Sequence, residues 1–301
     1  MIKSITVTNH LDESIILELR APEKSGLLVK EVTGLGPSKA SINSTELSTM
    51  DGSSFNSARM NSRNIVMTLK IMDTPSVEYN RLLSYKYFPV KKKIRLRIET
   101  DYRTCDIYGY VESNEPVIWS SSVTTQISII CPDPYFYSSS MNITMFAGII
   151  PTFSFPFSNE SLTESLIDIG EISNNQEPVI TYLGDAEVGM NIFITAIGDV
   201  TNLRIFNLYT NELMRIDDVK MAALTGSGIV SGDNIIISTI KGQKSITLIR
   251  GGVYMNILNC LDINVDWFQL VRGDNVFAFI ADTGLTNLEV RIENQTLYEG
   301  V

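Results

Sequence analysis

The stretch that decides the fold is ISIICPDPYFY, residues 127–137 of a 301-residue chain. Apolar Ile127 and Ile129 flank polar Ser128, the alternation that is typical of a half-buried antiparallel strand. The prolines that follow Cys131 lack the amide N–H that a strand interior needs, so the strand is expected to end there. The pattern therefore predicts that a β-domain closes at this segment, with the aromatic residues packed against it. The junction residues are Pro132, Asp133, Pro134, Tyr135 and Phe136.

The residues before this stretch show the same strand pattern, with one helix among them. Apolar and polar residues alternate over 65–71 and again over 94–98. A helix is predicted to start at Asp73-Thr74-Pro75, with Pro75 in its first turn, to continue through 77–88 and to end before Pro89. The apolar residues at helical spacing are Tyr79, Leu82, Leu83 and Tyr87. We therefore predict that residues 1–137 form a β-sheet domain with one packed helix.

The second part of the chain differs in charge and in turn content. Residues 1–140 carry 16 Lys and Arg against 15 Asp and Glu, whereas residues 141–301 carry 8 against 19. Residues 138–160 are rich in Ser and Asn, which predicts a connector with little strand of its own. Short apolar runs between Gly, Asp and Asn turns fill residues 161–301. They predict a β-sandwich of the jelly-roll kind, so the fold class is mainly β.

Residue types that carry chemistry are scarce. The single histidine, His10, has no neighbours that suggest a catalytic site, and no carboxylate pair can be assigned to a cleft. Cys105, Cys131 and Cys260 form no metal-ligand spacing and are expected to be reduced, buried thiols. The net charge of −10 argues against sequence-independent nucleic-acid binding. We therefore predict a protein that is not an enzyme and that uses no cofactor or metal.

The sequence shows neither a signal peptide nor an apolar run long enough to span a membrane. Folding in a cytoplasm, without membrane insertion, is therefore expected.

Two groups of residues are candidate contact sites. Lys93, Arg95 and Arg97 share one face of a predicted strand, where they would either contact an acidic partner subunit or simply be solvated. Trp267 and Phe268 could hold a glycan or a partner protein by aromatic stacking, or could pack in the core. Sequence alone leaves both pairs of alternatives open.

An ordered set of motifs resembles the phage distal tail protein family of siphophage-type tails. The motifs are GLGP at 34–37, DG at 51–52, RNI at 63–65, RLL at 81–83, YFP at 87–89, GYVE at 109–112 and CPDPYFY at 131–137. Looser matches follow in order, namely LGDA at 183–186, GDNI at 232–235, FQL at 268–270, GDN at 273–275 and LYEGV at 297–301. The resemblance covers nearly the whole chain and is weakest over 138–178.

The resemblance implies a structural role in the virion. Members of this family form a homo-hexameric ring at the tail tip, or baseplate, built by the first domain. The second domain is a peripheral sandwich similar to galectins and carbohydrate-binding modules. The ring joins the tail tube protein to the tail-tip or fibre protein, supports receptor-binding proteins and lets DNA pass without specific binding. Assembly would occur in the host cytoplasm. The alternative is a carbohydrate-binding adhesion module attached to an assembly domain.

Overall fold

The computed structural model describes residues 1–46, 51–119, 122–146, 148–150, 171–173 and 179–301. The chain divides into two compact units, of which the first comprises Met1–Ser140 with Leu297–Val301 and the second Met141–Thr296. The five C-terminal residues thus belong with the first unit, whereas the sequence placed them in the second domain. Strands dominate both units, so the predicted mainly-β fold class is confirmed.

Ten strands begin in the described part of the first unit. They are β1 (Ile2–Thr8), β2 (Ser14–Glu18), β3 (Leu27–Thr33), β4 (Ala40–Glu46), β5 (Ser53–Met60), β6 (Arg63–Ile71), β7 (Lys93–Thr100), β8 (Thr104–Val117), β9 (Thr124–Cys131) and β10 (Phe136–Phe146). Antiparallel pairing gives the order β2-β1-β7-β8-β9-β6-β3, and β10 also pairs with β8. Strands β4 and β5 pair with each other as a separate hairpin.

The alternating residues of these strands build the core of the first unit. Ile65, Met67 and Leu69 of β6 are fully buried. Leu96 and Ile98 of β7 are at most 1% exposed. The predicted half-buried strands over 65–71 and 94–98 are therefore confirmed. Burying each of these side chains stabilises the fold by roughly 1.5–3 kcal/mol, so the alternation sets which sheet face turns inward.

The helix of the first unit, α1, spans Val77–Tyr87. Its first residue, Val77, lies two residues after Pro75, because Ser76 is the N-cap and its Oγ accepts a hydrogen bond from the Tyr79 amide at 3.1 Å. Pro75 therefore precedes the cap and does not lie in the first turn. The helix ends before Pro89, as predicted.

The buried face of α1 is more polar than the sequence predicted. Asn80 and Ser84 are buried, and Asn80 Nδ2 donates to the carbonyls of Met72 at 2.9 Å and Thr74 at 2.8 Å. Leu83 and Tyr87 pack against the core as expected, whereas Tyr79 and Leu82 are 55% and 54% exposed. The predicted packing face was thus wrong for two of its four residues, because amide hydrogen bonds hold one side of the helix in place of apolar contacts.

The described part of the second unit contains a β-sandwich, which confirms the predicted fold. A short pair joins β11 (Gly148–Ile150) and β12 (Glu171–Ser173). The other strands are β13 (Val179–Tyr182), β14 (Asn191–Ala196), β15 (Arg204–Asn207), β16 (Glu212–Arg215), β17 (Asn234–Ser238), β18 (Ser245–Arg250), β19 (Val253–Asn256), β20 (Gly273–Ile280) and β21 (Leu288–Tyr298). One sheet has the order β19-β18-β17-β14-β21 and the other β13-β20-β15-β16.

One helix, α2 (Asp218–Thr225), is associated with the sandwich. Asp217 caps its first turn by accepting hydrogen bonds from the amides of Val219 and Lys220. Gly226 ends it in the left-handed conformation, with φ of 85°, which favours glycine.

The predicted connector differs from the structure over its first part. Strand β10 runs from Phe136 to Phe146, so residues 138–146 are strand and not connector. The rest of that range, apart from Gly148–Ile150 of β11, lies outside the described residues. Within the described ranges, neither helix has the length and apolar character that a membrane span requires.

Candidate assembly surfaces and the strand junction

The junction between β9 and β10 is held by local contacts within the first unit. Phe136 is fully buried in the core of that unit. The side chain of Asp133 accepts hydrogen bonds from the Tyr135 amide at 3.2 Å and from the Tyr137 hydroxyl. Burial raises the pKa of Tyr137, and the hydrogen bond to Asp133 raises it further. The turn that carries Pro132 and Pro134 is thus fixed by the side chains on either side of it.

Arg63, the first residue of β6, connects this junction to two other segments of the first unit. Its guanidinium lies over the Phe136 ring, 4.5 Å from the centroid, and donates to the Pro134 carbonyl at 2.8 Å. It also donates to the carbonyls of Gly34 and Gly36 at 2.5 Å and of Glu299 at 2.6 Å. Burial lowers the pKa of Arg63, although arginine remains charged at physiological pH. Four main-chain oxygens therefore replace the water that this cation lost.

Sequence reasoning did not identify Arg63 as an anchor. It noted only that RNI opens an alternating strand. The sequence did contain one signal, because Arg63 opens a strand whose next residues alternate between the core and solvent. A charged side chain that is buried at such a position must find hydrogen-bond partners.

Lys93, Arg95 and Arg97 lie on the outer face of β7, because the residues between them point into the core. Arg97 forms a paired hydrogen bond with Asp106, with N–O distances of 2.7 and 2.9 Å. Lys93 Nζ lies 4.8 Å from the centre of the Tyr108 ring. Arg95 contacts the Thr8 hydroxyl at 3.4 Å, whereas its buried Nε has no acceptor among the described residues. Asp106 thus compensates one of the three charges, which leaves Lys93 and Arg95 as the positive part of this face.

Trp267 and Phe268 do not form an aromatic platform. Phe268 is fully buried and meets Phe277 edge to face, with 5.7 Å between ring centroids. Trp267 is half-buried, and Lys244 Nζ lies 5.4 Å from the centre of its ring. Of the two alternatives that the sequence left open, core packing therefore describes Phe268, which lies in an irregular segment with its ring turned inward against Phe277. This geometry does not favour carbohydrate binding at the pair.

The three cysteines are free and buried, which confirms the sequence prediction. Burial raises the pKa of Cys105 to about 11 and that of Cys131 to about 12, and it also raises the pKa of Cys260. These thiols stay protonated at neutral pH and are poor nucleophiles. They act as small apolar side chains in the two cores.

The comparisons with known proteins give a match at the level of fold. No protein-family model matches the chain, and no curated protein matches its sequence. The solved structure of the phage SPP1 Dit (gp 19.1) protein aligns with 97% of this chain and 98% of its own, with a TM-score of 0.65 and 10% identity. That protein is described as a paradigm of the hub adsorption apparatus in phages that infect Gram-positive hosts.

Chains from two structures of the phage P2 baseplate in its activated conformation are also similar. The structure with Ca aligns over 98% of both chains at 11% identity and a TM-score of 0.48. The structure with Sr aligns over 97% of both at 10% identity and a TM-score of 0.47. These two scores are too low to establish a common fold. The resemblance to distal tail proteins is thus confirmed as a shared fold, and over nearly its whole length the chain has the fold of the SPP1 Dit protein.

Proposed function

We propose that this chain is a structural hub protein of a phage tail tip, or baseplate, and not an enzyme. The observation that carries the proposal is the fold shared with the SPP1 Dit protein over 97% of the chain. The ordered motifs from GLGP to CPDPYFY support the same conclusion from the sequence. Fold similarity alone does not assign an activity, so the proposal also rests on the scarcity of catalytic residue types in the chain.

In its finer form, the proposal is a hexameric ring in the virion. The ring joins the tail tube to the tail-tip fibre and to receptor-binding proteins, and DNA passes through its channel. A closed ring requires a head-to-tail interface, in which each subunit presents two different surfaces. The near-neutral first unit suits such packing better than the acidic second unit, whose charges favour solvent.

We expect the purified protein to form a particle of six chains of 33.5 kDa each. Light scattering coupled to size-exclusion chromatography measures the mass, and negative-stain electron microscopy shows whether the particle is a ring with a channel. A strict monomer at high protein concentration, with no rings in the images, would contradict the proposal.

We further propose that the face formed by Lys93, Arg95 and Arg97 contacts an acidic surface of the neighbouring subunit, mainly through Lys93 and Arg95, because Asp106 already pairs with Arg97. The double variant Lys93→Glu/Arg95→Glu is then expected to raise the concentration needed for half-assembly by about 10-fold or more, which corresponds to about 1.4 kcal/mol. The matched control Lys3→Glu/Lys30→Glu changes two exposed lysines elsewhere in the first unit. Equal half-assembly concentrations for both variants, measured by mass photometry, would show that this face is merely solvated.

A further inference from the structure

The hairpin formed by β4 and β5 is the most exposed element of the first unit. Its two strands pair only with each other in the described part of the chain. Apart from Ser41 and Met60, which are partly buried, every residue of both strands is exposed. By contrast, strands such as β6 and β7 bury every second residue. The hairpin therefore takes almost no stability from the core of its own unit.

The two faces of this hairpin differ in polarity. Ile42 pairs with Ala58, and a bulge after Asn43 brings Phe55 opposite Ser44, so Ile42, Phe55 and Ala58 lie on one face. We call these three residues the hairpin apolar face. Both Ile42 and Phe55 are 66% exposed.

The opposite face is covered by polar side chains that bond to each other across the strands. Asn43 Nδ2 donates to Ser57 Oγ at 3.1 Å, and Asn56 Nδ2 donates to Thr45 Oγ1 at 2.6 Å. The side chains of the polar face thus hydrogen-bond to each other, whereas the hairpin apolar face is exposed to water. A hairpin gains stability by burying its apolar side chains, and this hairpin leaves them exposed.

A two-stranded hairpin is marginally stable in water unless its apolar face packs against another element. Contiguous exposed apolar side chains on such an element mark an interaction surface. Within the part of the chain that the structure describes, Ile42 and Phe55 of the hairpin apolar face remain largely exposed, so this face is available to another molecule.

A second exposed apolar surface lies on α1 of the same unit. Tyr79, Leu82 and Tyr85 follow each other at three-residue spacing and are 55%, 54% and 37% exposed. We call them the helix apolar face. The two surfaces differ from each other, as the two halves of a head-to-tail contact between copies of one chain must.

The charges near the two surfaces are complementary. Exposed Glu46 and Asp51 stand at the loop end of the hairpin, whereas exposed Lys91 and Lys92 follow the C-terminal end of α1. Opposite charges at the rim of an apolar contact favour the right pairing and steer the encounter. A second copy of this chain therefore carries both an apolar and a charged counterpart to the hairpin.

We propose that the hairpin apolar face of one subunit packs on the helix apolar face of the next subunit. The inference rests on the proposed ring and adds to it the contact that joins neighbouring subunits. The polar face of the hairpin stays in solvent, and the acidic loop end approaches Lys91 and Lys92.

Cross-linking of the full-length protein tests this contact. The variant Phe55→Cys/Leu82→Cys carries one new thiol on each surface, and a short bismaleimide linker joins them without requiring disulfide geometry. Both positions are exposed, so folding should be unaffected, and the three native thiols are buried and protonated. The expected result is a ladder of covalent oligomers up to six chains on a denaturing gel.

The matched control is Ser57→Cys/Leu82→Cys, because Ser57 lies on the polar face of the same hairpin. It should give no ladder, and an equimolar mixture of the single variants Phe55→Cys and Leu82→Cys should give dimers only. In a second comparison, Phe55→Asp should raise the half-assembly concentration by about 10-fold or more, while Ser57→Asp leaves it unchanged.

The outcomes separate this inference from the proposed ring. If the unmodified protein assembles but Phe55→Cys/Leu82→Cys gives no more ladder than its control, the subunits meet elsewhere and the inference is wrong, whereas the ring stands. If the unmodified protein stays monomeric and unlinked, both are wrong. A ladder specific to the Phe55 and Leu82 pair supports the contact.

Discussion

Replacing Arg63 by methionine is expected to lower the free energy of unfolding of the first unit by about 3–5 kcal/mol. The substitution keeps much of the side-chain volume but removes the donors to the carbonyls of Gly34, Gly36, Pro134 and Glu299. Those oxygens would stay buried without a partner, which costs more than the bonds themselves contribute. The contact over the Phe136 ring, worth about 0.5–2 kcal/mol in such geometries, would be weakened as well.

Urea denaturation followed by circular dichroism measures this loss, and hydrogen exchange read by mass spectrometry locates it. Faster exchange is expected around residues 34–37, 134–136 and 297–301, the segments that Arg63 joins. Arg59→Met is the matched control, because Arg59 is exposed on the hairpin. Arg63→Lys should fall between the two, since one ammonium group cannot serve four separated carbonyls. A midpoint for Arg63→Met equal to that of Arg59→Met would show that the anchor is not needed.

The elements that sequence predicted well are those in which each residue's environment depends on its neighbours in the chain. Ile65, Met67 and Leu69 alternate with solvent-facing residues, and the pleat of the strand turns them all to one side. The same holds for the outward placement of Lys93, Arg95 and Arg97. The fold class follows from such runs and from the turn residues between them.

The features that sequence missed depend on residues far apart in the chain. The partners of Arg63 come from around residues 34, 134 and 299, and no local pattern shows that these segments converge. Asn80 is buried because two carbonyls before α1 accept from its amide, although helix periodicity favours an apolar residue for that role. For Phe268 the sequence left core packing and an exposed contact open, since an aromatic residue in an irregular segment gives no sign of its direction.

The charge pattern of the sequence likewise did not show which basic residues are already paired within the chain. The run around Lys93 reads as a positive cluster, but Asp106 of the neighbouring strand β8 pairs with Arg97 in the structure. Cross-strand pairs of this kind depend on register, which the turn and the core fix together. The candidate contact surface is therefore narrower than the sequence implied and centres on Lys93 and Arg95.

The second large effect is expected for Asp233→Asn, which should lower the free energy of unfolding of the second unit by about 3–5 kcal/mol. Asp233 is 1% exposed and forms two hydrogen bonds with Arg250, at 2.7 and 2.6 Å. It also accepts from the Val230 amide at 2.9 Å. Arg250 in turn donates to Ser227 Oγ and to the Gly228 carbonyl, both at 2.7 Å. The pair thereby ties the loop after α2 to β17 and β18.

The fluorescence of Trp267 in urea reports this change, because Trp267 is half-buried in the second unit whereas Trp119, the other tryptophan, is 99% exposed. Glu187→Gln is the matched control. It breaks an ion pair with Lys241 whose side chains are 60% and 69% exposed, and no measurable change is expected.

A double variant, Asp233→Leu/Arg250→Met, tests whether the loss of stability comes from the unpaired charge. Removing Asp233 alone leaves the partly buried charge of Arg250 uncompensated, whereas removing both partners does not, so the double variant should be more stable than Asp233→Asn. A double variant no more stable than Asp233→Asn would assign the loss to the Ser227 and Gly228 contacts of Arg250 and not to the charge pair. If Asp233→Asn itself unfolds at the midpoint of Glu187→Gln, the pair contributes nothing to stability, and apolar packing alone holds the sandwich together.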